Sequence, residues 1–459
     1  MSPKARFKPY PRYKPSSVEW LGDVPEGWDI MRLKFVSSIG TGDKDTVNNV
    51  LEGQYPFFVR SQTIERINSY SYDGEAVLTA GDGVGVAKVF HYVDGKFDFH
   101  QRVYKFSDFN HVIGKFFFYY IREMFREEVL KLSAKSTVDS LRLPMIQNFM
   151  FCIPTLNEQI ALVKFIESET ARIDRLVGHK ERLIELLQEK RTALISEMVC
   201  GKRSLIRDPK DGELKAVAPA ELSRIKKRHP EAVIVDATRT KSSGVEWLGD
   251  VPEEWAVKRL RYLGRCQNGI NIGAEYFGTG YPFVSYGNVY NNRELPNKVE
   301  GLVQSSDSDR KHYSVKEGDV LFTRTSETIE EVGFASTCFH SIVDATFAGF
   351  LIRFRPLHGA LNTHFSKYYF QNILLRAFFV KEMNLVTRAS LSQDLLKQMP
   401  VLIPQLEAQA TIADFLDCET DKLDKLTTKI QEAIGKLKEY RTALISAAVT
   451  GKIDVRGEK

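Results

Sequence analysis

The chain repeats itself. Ser16–Val36, SSVEWLGDVPEGWDIMRLKFV, recurs at Ser242–Leu263 as SSGVEWLGDVPEEWAVKRLRYL, with Trp20 matching Trp247 and Trp28 matching Trp255, each 227 residues apart. Further on, IPTLNEQ (Ile153–Gln159) matches IPQLEAQ (Ile403–Gln409), and RTALISEMVCGK (Arg191–Lys202) matches RTALISAAVTGK (Arg441–Lys452), both 250 residues apart. The copies run gap-free from Ile153 to Lys202, so the 23-residue difference lies between the Trp motif and the IP motif. The fold must therefore be two similar units with constant ends and variable middles, about 37–152 and 264–402. Drift alone would have scattered gaps through the ends as well. Constant ends around divergent middles suit one scaffold that carries two different heads.

After each IP motif the apolar residues recur every seven positions. Val163, Thr170, Val177, Ile184, Arg191 and Met198 form one stripe, and Ile166, Ile173, Lys180, Leu187 and Leu194 its companion. The second copy has Ala413, Thr420, Thr427, Ile434, Arg441 and Ala448, with Leu416, Leu423, Ile430, Leu437 and Leu444. This is a coiled-coil seam sustained over about five heptads. Pro154 and Pro404 precede the two helices, and Gly201 and Gly451 close them. Each helix of about 43 residues would extend roughly 60–65 Å, with Gly178 and Gly435 as points for a bend. One apolar stripe on so long a helix needs a partner. The repeat copy is the natural one, packed antiparallel about an approximate two-fold with one head at each end. The alternative, in which each helix packs only on its own head, fits a narrow, long seam less well.

The middles are expected to be α+β. GEAVLTAGDGVGVAKVF (Gly74–Phe90) and KEGDVLFTRTSETIEEVGFAS (Lys316–Ser336) alternate as strands do around a turn or polar loop. YPFFVRSQTI (Tyr55–Ile64) and YPFVSYGNVY (Tyr281–Tyr290) look equivalent, and aromatic-rich helices follow at His111–Phe125 and His364–Phe379. Each middle then holds one sheet with helices. The expected order is a basic arm (1–15), a first head domain (16–157), a helix (158–203), a basic linker, mobile or partly helical (204–241), a second head domain (242–407), a helix (408–453) and a tail (454–459). The four tryptophans are assigned to the scaffold core.

Composition narrows the function. With 43% apolar and 11% aromatic residues, wholesale disorder is excluded. Five scattered cysteines with no CxxC pair argue against a disulfide framework or a zinc site. The basic start lacks the apolar stretch of a signal peptide, and no run approaches the roughly 18 apolar residues of a membrane span, so a soluble cytoplasmic protein is expected. Residues 1–17 carry five Lys/Arg and no acid, and residues 201–241 carry eleven Lys/Arg against six Asp/Glu. Solvated tails would explain this, and so would contact with phosphates.

No catalytic constellation stands out. GDGVG (Gly81–Gly85) lacks the spacing and following helix of a dinucleotide loop and reads as a hairpin turn. There is no Walker lysine loop, no HExxH and no Asn/Asp-Pro-Pro-aromatic motif. A large chain with two heads and no reaction centre reads as a binding protein. DNA suits two heads on a stiff spacer, because its major groove returns to one face about every 34 Å.

VEWLGDVPEGW, the two IP starts and the two RTALISxxVxGK endings resemble the specificity subunits of type I restriction–modification systems. The resemblance covers the whole chain, twice, in the family's order. The second copy departs at Ala408, where Glu158 stands in the first, with a small local effect expected at the helix start. The resemblance implies two target-recognition domains, each reading half of a bipartite site on double-stranded DNA, with the helices setting the gap. It implies docking of two methyltransferase subunits that bind S-adenosylmethionine and methylate adenine. Translocating nuclease subunits using ATP and magnesium would join them. The chain itself would bind no metal or cofactor and catalyse nothing. The rivals are a fused nuclease or methyltransferase, a structural coiled-coil adaptor, and a specificity factor of a solitary methylating system.

Base readout needs forked donors and acceptors on exposed loops, Arg for guanine and Asn or Gln for adenine. The first head offers Arg60, Ser61 and Gln62, then Lys88 and His91, then Lys135 and Ser136. The second offers Ser285, Tyr286 and Asn288, then Arg324, Thr325 and Ser326, and Arg388. For any one of these, a surface ion pair or turn role is the competing reading.

Overall fold

The computed structural model describes residues 7–83, 85–131, 140–326, 332–382 and 389–457. The fold is mixed α+β. The chain divides into two compact units, Met1–Arg182 with Lys429–Lys459, and Leu183–Thr428. Each unit takes one head and a part of both long helices.

In the first unit a six-stranded sheet has the order Ser38–Thr41, Val103–Ser107, Tyr72–Ala80, Phe90–Phe99, Tyr55–Phe58, Glu65–Ile67. Tyr72–Ala80 and Phe90–Phe99 pair antiparallel, and the GDGVG glycines lie in their connection. A helix at Gly114–Lys131 buries Phe116, Phe117, Tyr120, Ile121 and Phe125. Phe117 stacks on Phe151 with centroids 5.2 Å apart. Phe151 belongs to Met150–Ile153, which pairs antiparallel with Asp29–Arg32 of the Trp motif.

The second unit repeats that pairing with Ala256–Arg259 against Pro400–Ile403. Its head, expected as one sheet, divides its strands. A four-stranded sheet runs Gly264–Asn268, Leu351–Pro356, Val320–Thr323, Ala335–Thr337, and Phe277–Val284 lies between Leu302–Val303 and Thr346–Phe347. The YPFF and YPFV strands are equivalent as expected, since each makes a parallel pair: Phe57 and Phe58 with Asp98 and Phe99, Phe283 and Val284 with Thr346 and Phe347. Trp28 and Trp255 are buried, whereas Trp20 and Trp247 are half-buried, Trp20 stacking on Phe149.

The long helices are Leu156–Val199 and Leu406–Val449, 44 residues each, continuous through Gly178 and Gly435. In the first unit Arg441 pairs with Asp174 at 3.0 Å and Lys438 with Glu181 at 3.7 Å, so the helices run antiparallel there. In the second unit Arg191 pairs with Asp424 at 2.9 Å. These are the same two repeat positions with the helices exchanged, and they explain an arginine in an otherwise apolar stripe. Ile166, Ile173, Leu187, Leu416, Leu423, Ile434 and Leu444 are buried, and Ile184, Leu194 and Leu437 half-buried. Each full burial contributes about 1.5–3 kcal/mol. Buried Thr170, Thr420 and Thr427 satisfy their hydroxyls on the carbonyl four residues back. Near the helix ends the apolar stripe widens: Ile195, Met198 and Val199 join a core with Trp255 and Leu260. The helices thus pair with each other along the middle, as expected, and the end of the first helix packs on the second Trp motif rather than on its own head.

Three repeated features now have physical reasons. Gln159 is fully buried, its amide donating to His111 O and Pro154 O at 2.9 Å while its oxygen accepts from Ile113 N at 2.8 Å. Gln409 does the same with Pro404 O and Asn362 N. Each glutamine fastens the aromatic helix to the start of the long one. Next, Gly201 and Gly451 have φ of +65° and +67°, and a Cβ on either would stand 2.5 Å from Pro252 or Pro25. Finally, Lys202 Nζ donates to Leu248 O and Asp250 O, and Lys452 Nζ to Leu21 O and Asp23 O, at 2.5–3.0 Å. The first helix therefore closes on the second Trp motif, and the second helix on the first. At Glu158 a capping box with Thr155 starts the first helix; Ala408 removes it from the second copy, as the departure suggested.

Replacing Gln159 or Gln409 by Ala orphans a buried N–H and a carbonyl, each costing about 1–3 kcal/mol. Both variants are expected to lose about 2–4 kcal/mol of stability, read from urea unfolding, whereas Glu158→Ala should lose about 1 kcal/mol or less. Equal losses for Gln and Glu variants would contradict the clamp.

The linker is partly helical, as expected, and also carries strands that the sequence reading did not foresee. Leu214–Val217, Ser204–Arg207 and Val233–Val235 form a three-stranded sheet in that order, and a helix at Pro219–Arg228 packs on it through Leu222 and Ile225.

Candidate nucleic-acid interface

In the first head several loops meet at one end of the sheet, where its inner strands turn. Arg60, Ser61 and Gln62 follow the Tyr55–Phe58 strand, and Gly81–Val89 joins the two long strands. Gly81 N donates to Arg102 O at 2.8 Å, and Leu141 N to Gly81 O at 2.8 Å. A Cβ on Gly85 would lie 2.4 Å from Arg60 O, so only glycine lets the loops touch. The contacts are polar and exposed. Arg60 Nη1 reaches Asp82 Oδ1 at 3.1 Å, and Arg102 Nε stands 3.7 Å from Asp82 Oδ2. Gln62 Nε2 donates to Lys88 O at 3.5 Å.

Five of the seven expected residues of this head thus come together. Their roles differ. His91 rests on Phe58 at 5.1 Å, and its Nε2 meets Ser61 O at 3.0 Å. Burial lowers its pKa, so the ring is neutral at pH 7 and donates to that carbonyl; it positions the loop and carries no charge for a phosphate. Ser61 Oγ closes a turn on Thr63 O. Arg60, Gln62 and Lys88 keep exposed donors. Lys135 and Ser136 lie outside the described residues. Sequence reasoning missed Asp82 and Arg102. Arg102 is 42 residues from Arg60 in sequence, and no local signal joins them.

In the second head the strand equivalent to Tyr55–Phe58 leads into a short helix, Tyr286–Tyr290. Ser285 is its N-cap and Asn288 completes the capping box, with bonds of 2.9–3.3 Å. Those two residues, expected as base readers, spend their polar groups on the helix start. Tyr286 stacks on Tyr290 at 5.8 Å, and Tyr290 meets Phe334 at 5.2 Å. Arg324 donates weakly to Gly349 O at 3.4 Å, and its Nε is buried with no hydrogen-bond partner among the described residues. Thr325 and Ser326 form a short strand against Ala389–Ser390. Arg388 and the Ser326 side chain lie outside the described residues. Tyr290 and Phe334 went unread, because their contact is tertiary.

Exposed ion pairs such as Arg60–Asp82 contribute about 0–1 kcal/mol, so a guanidinium can leave its carboxylate for a guanine edge or a phosphate at little cost. Among the described residues no group of three His, Cys, Asp or Glu could hold a metal ion. No described helix is long and apolar enough to cross a membrane.

A repeated helical scaffold with two dissimilar heads, each presenting polar loops at its strand ends, defines a two-headed specificity protein. The chain belongs to the type I restriction modification DNA specificity domain family, whose profile matches residues 25–186 and 252–436. It is similar to the type I restriction enzyme EcoDI specificity subunit of Escherichia coli, 21% identical over 94% of this chain and 90% of that one. Likeness to the MjaVIII specificity subunit of Methanocaldococcus jannaschii is also 21%, over 94% of each. Among solved structures it resembles a chain from a study of complex assembly and conformational transition of the type I R-M system. That match has a TM-score of 0.64 and 16% identity, covering 93% of this chain and 98% of the other. The HsdS subunit of Thermoanaerobacter tengcongensis matches with a TM-score of 0.52 and 15% identity, over 94% and 98%.

Proposed function

We propose that the chain selects the DNA target of a type I restriction–modification complex and is itself non-catalytic. Each recognition domain, 16–157 and 242–407, reads one half of an asymmetric bipartite site, and the paired helices set the unread gap. The observation that carries this is the repeat: identical clamps and helix closures in both units, beneath heads whose polar edges differ. One scaffold presenting two edges suits one duplex read in two places.

Arg60, Gln62 and Lys88 in the first head, and Arg324 and Thr325 in the second, are the proposed DNA contacts. Arginine can fork onto guanine O6 and N7, and glutamine onto adenine N6 and N7. Ser61, His91, Ser285 and Asn288 position these loops. The helices dock two methyltransferase subunits, which supply S-adenosylmethionine and transfer its methyl group to adenine. Nuclease subunits bring ATP and magnesium for cleavage. The setting is the cytoplasm, where the chromosome is the substrate.

Mapping methylated adenines by single-molecule sequencing, in the source cells with and without the gene, tests the proposal. Loss of one asymmetric two-part mark is expected on deletion. An unchanged methylation map, or methylation by the purified chain alone, would refute it.

A further inference from the structure

We infer that the folded linker module, residues 204–241, is a separate grip on the phosphates of duplex DNA that reads no sequence. The inference rests on the proposal that the chain binds duplex DNA. It adds a third contact outside both recognition domains.

Leu222 and Ile225 turn the Pro219–Arg228 helix onto its sheet, where they meet Ile206, Val217 and Val233. Helical spacing then sends Arg224, Lys227 and Arg228 to the opposite face, since residues three and four apart are neighbours. All three are exposed and none has an acidic partner among the described residues. Four of the module's six carboxylates are engaged elsewhere, and Glu213 lies outside the helix. Asp208 and Asp211 hold Lys215 at 2.6 and 2.7 Å, Asp236 holds Lys226 at 2.5 Å, and Glu231 faces His229 at 3.3 Å. Glu221, the one acid on the helix, sits in its first turn, where the helix dipole favours it. The outer face therefore carries three adjacent cations, with Glu221 three residues before Arg224 but forming no ion pair with it among the described residues.

The chemistry of that face selects its occupant. Protein partners anchor on buried aromatic or aliphatic side chains. No large apolar side chain of 204–241 is exposed among the described residues, and the fourth position on the face is Ala220. Three flexible cations with no apolar anchor fit a regular polyanion. A DNA backbone, with one charge per about 1.7 Å of axis, is that partner.

The test is Arg224→Gln/Lys227→Gln/Arg228→Gln in the full chain. Its affinity for an unrelated 30-base-pair duplex would be measured across a salt series. Each phosphate contact contributes about 0.9 to the slope of log affinity against log salt, so the slope should shrink by about 2–3. The ratio of target to non-target affinity should be unchanged, and Lys227→Arg should bind as the parent does. A thermal melt matching the parent shows that the fold is retained. An unchanged slope, a loss confined to the target sequence, or a greater loss on single-stranded RNA would overturn the inference alone. Failure of the parent chain to bind any duplex would overturn the proposed function with it.

Discussion

Seven residues inserted after Arg182 and seven after Thr428 are expected to move the two half-sites apart by about 3 base pairs and to leave both half-sites unchanged. At 1.5 Å per residue a heptad adds about 10 Å of helix, and duplex DNA rises about 3.4 Å per base pair. The insertion points are where the compact units divide. Seven residues keep both apolar stripes in phase. They also leave each charge pair intact, because Asp174 and Arg441 stay in one unit and Arg191 and Asp424 in the other. Five inserted residues would instead rotate each stripe by about 140°, at 3.6 residues per turn, and should abolish modification. The methylation map reports gap and half-sites together. A seven-residue variant that modifies sites with the original gap would show that the helices are not the spacer.

The second large effect is expected from exchanging the first head. Grafting another recognition domain over residues 37–148 should replace one half-site and keep the other half and the gap. Each mismatched pair costs about 1–3 kcal/mol, so the original site should lose on the order of 100-fold or more in affinity. The boundary matters. A cut at 152 would take Met150–Cys152 out of its pairing with Ile30–Arg32 and Phe149 away from Trp20, both part of the scaffold. The donor must also present an aromatic helix to that scaffold. Tyr120 donates to Met150 O at 3.5 Å, and Tyr369 does the same to Pro400 O at 3.3 Å in the second unit. It must offer backbone to Gln159 as well. A graft that changes both half-sites, or neither, would break the assignment of one head to one half.

Much of the scaffold was legible because its signals are short-range. Heptad spacing, a proline before each helix and a glycine after it act within a turn or two of backbone. They located both 44-residue helices and most of their buried residues. The YPFF and YPFV strands were recognisable as equivalents for the same reason. The contact edges were only half legible. Polar residues after a strand were found, but the contacts some of them make within the fold were not. Ser285 and Asn288 became a helix cap because the chain turns into helix at that point, and His91 became a loop prop because Phe58 buries it. Arg102 was invisible because strand pairing, and not sequence distance, brings it to Asp82. The linker's strands were missed for a similar reason: a charged stretch with few apolar residues folds once three short strands and a helix share Ile206, Val217, Leu222, Ile225 and Val233.

What the sequence by itself determined is the set of parts: two copies of a helix with one apolar stripe, closed by GK, beneath two unlike α+β heads. Periodicity and turn chemistry act along the chain, so they survive being read in one dimension. Only the tertiary structure decided that the first GK closes on the second Trp motif and the second GK on the first. Both Trp motifs offer the same proline, tryptophan and carbonyls, and side-chain chemistry alone favours neither. The choice belongs to the antiparallel pairing of the helices, which sets the motif each helix end meets.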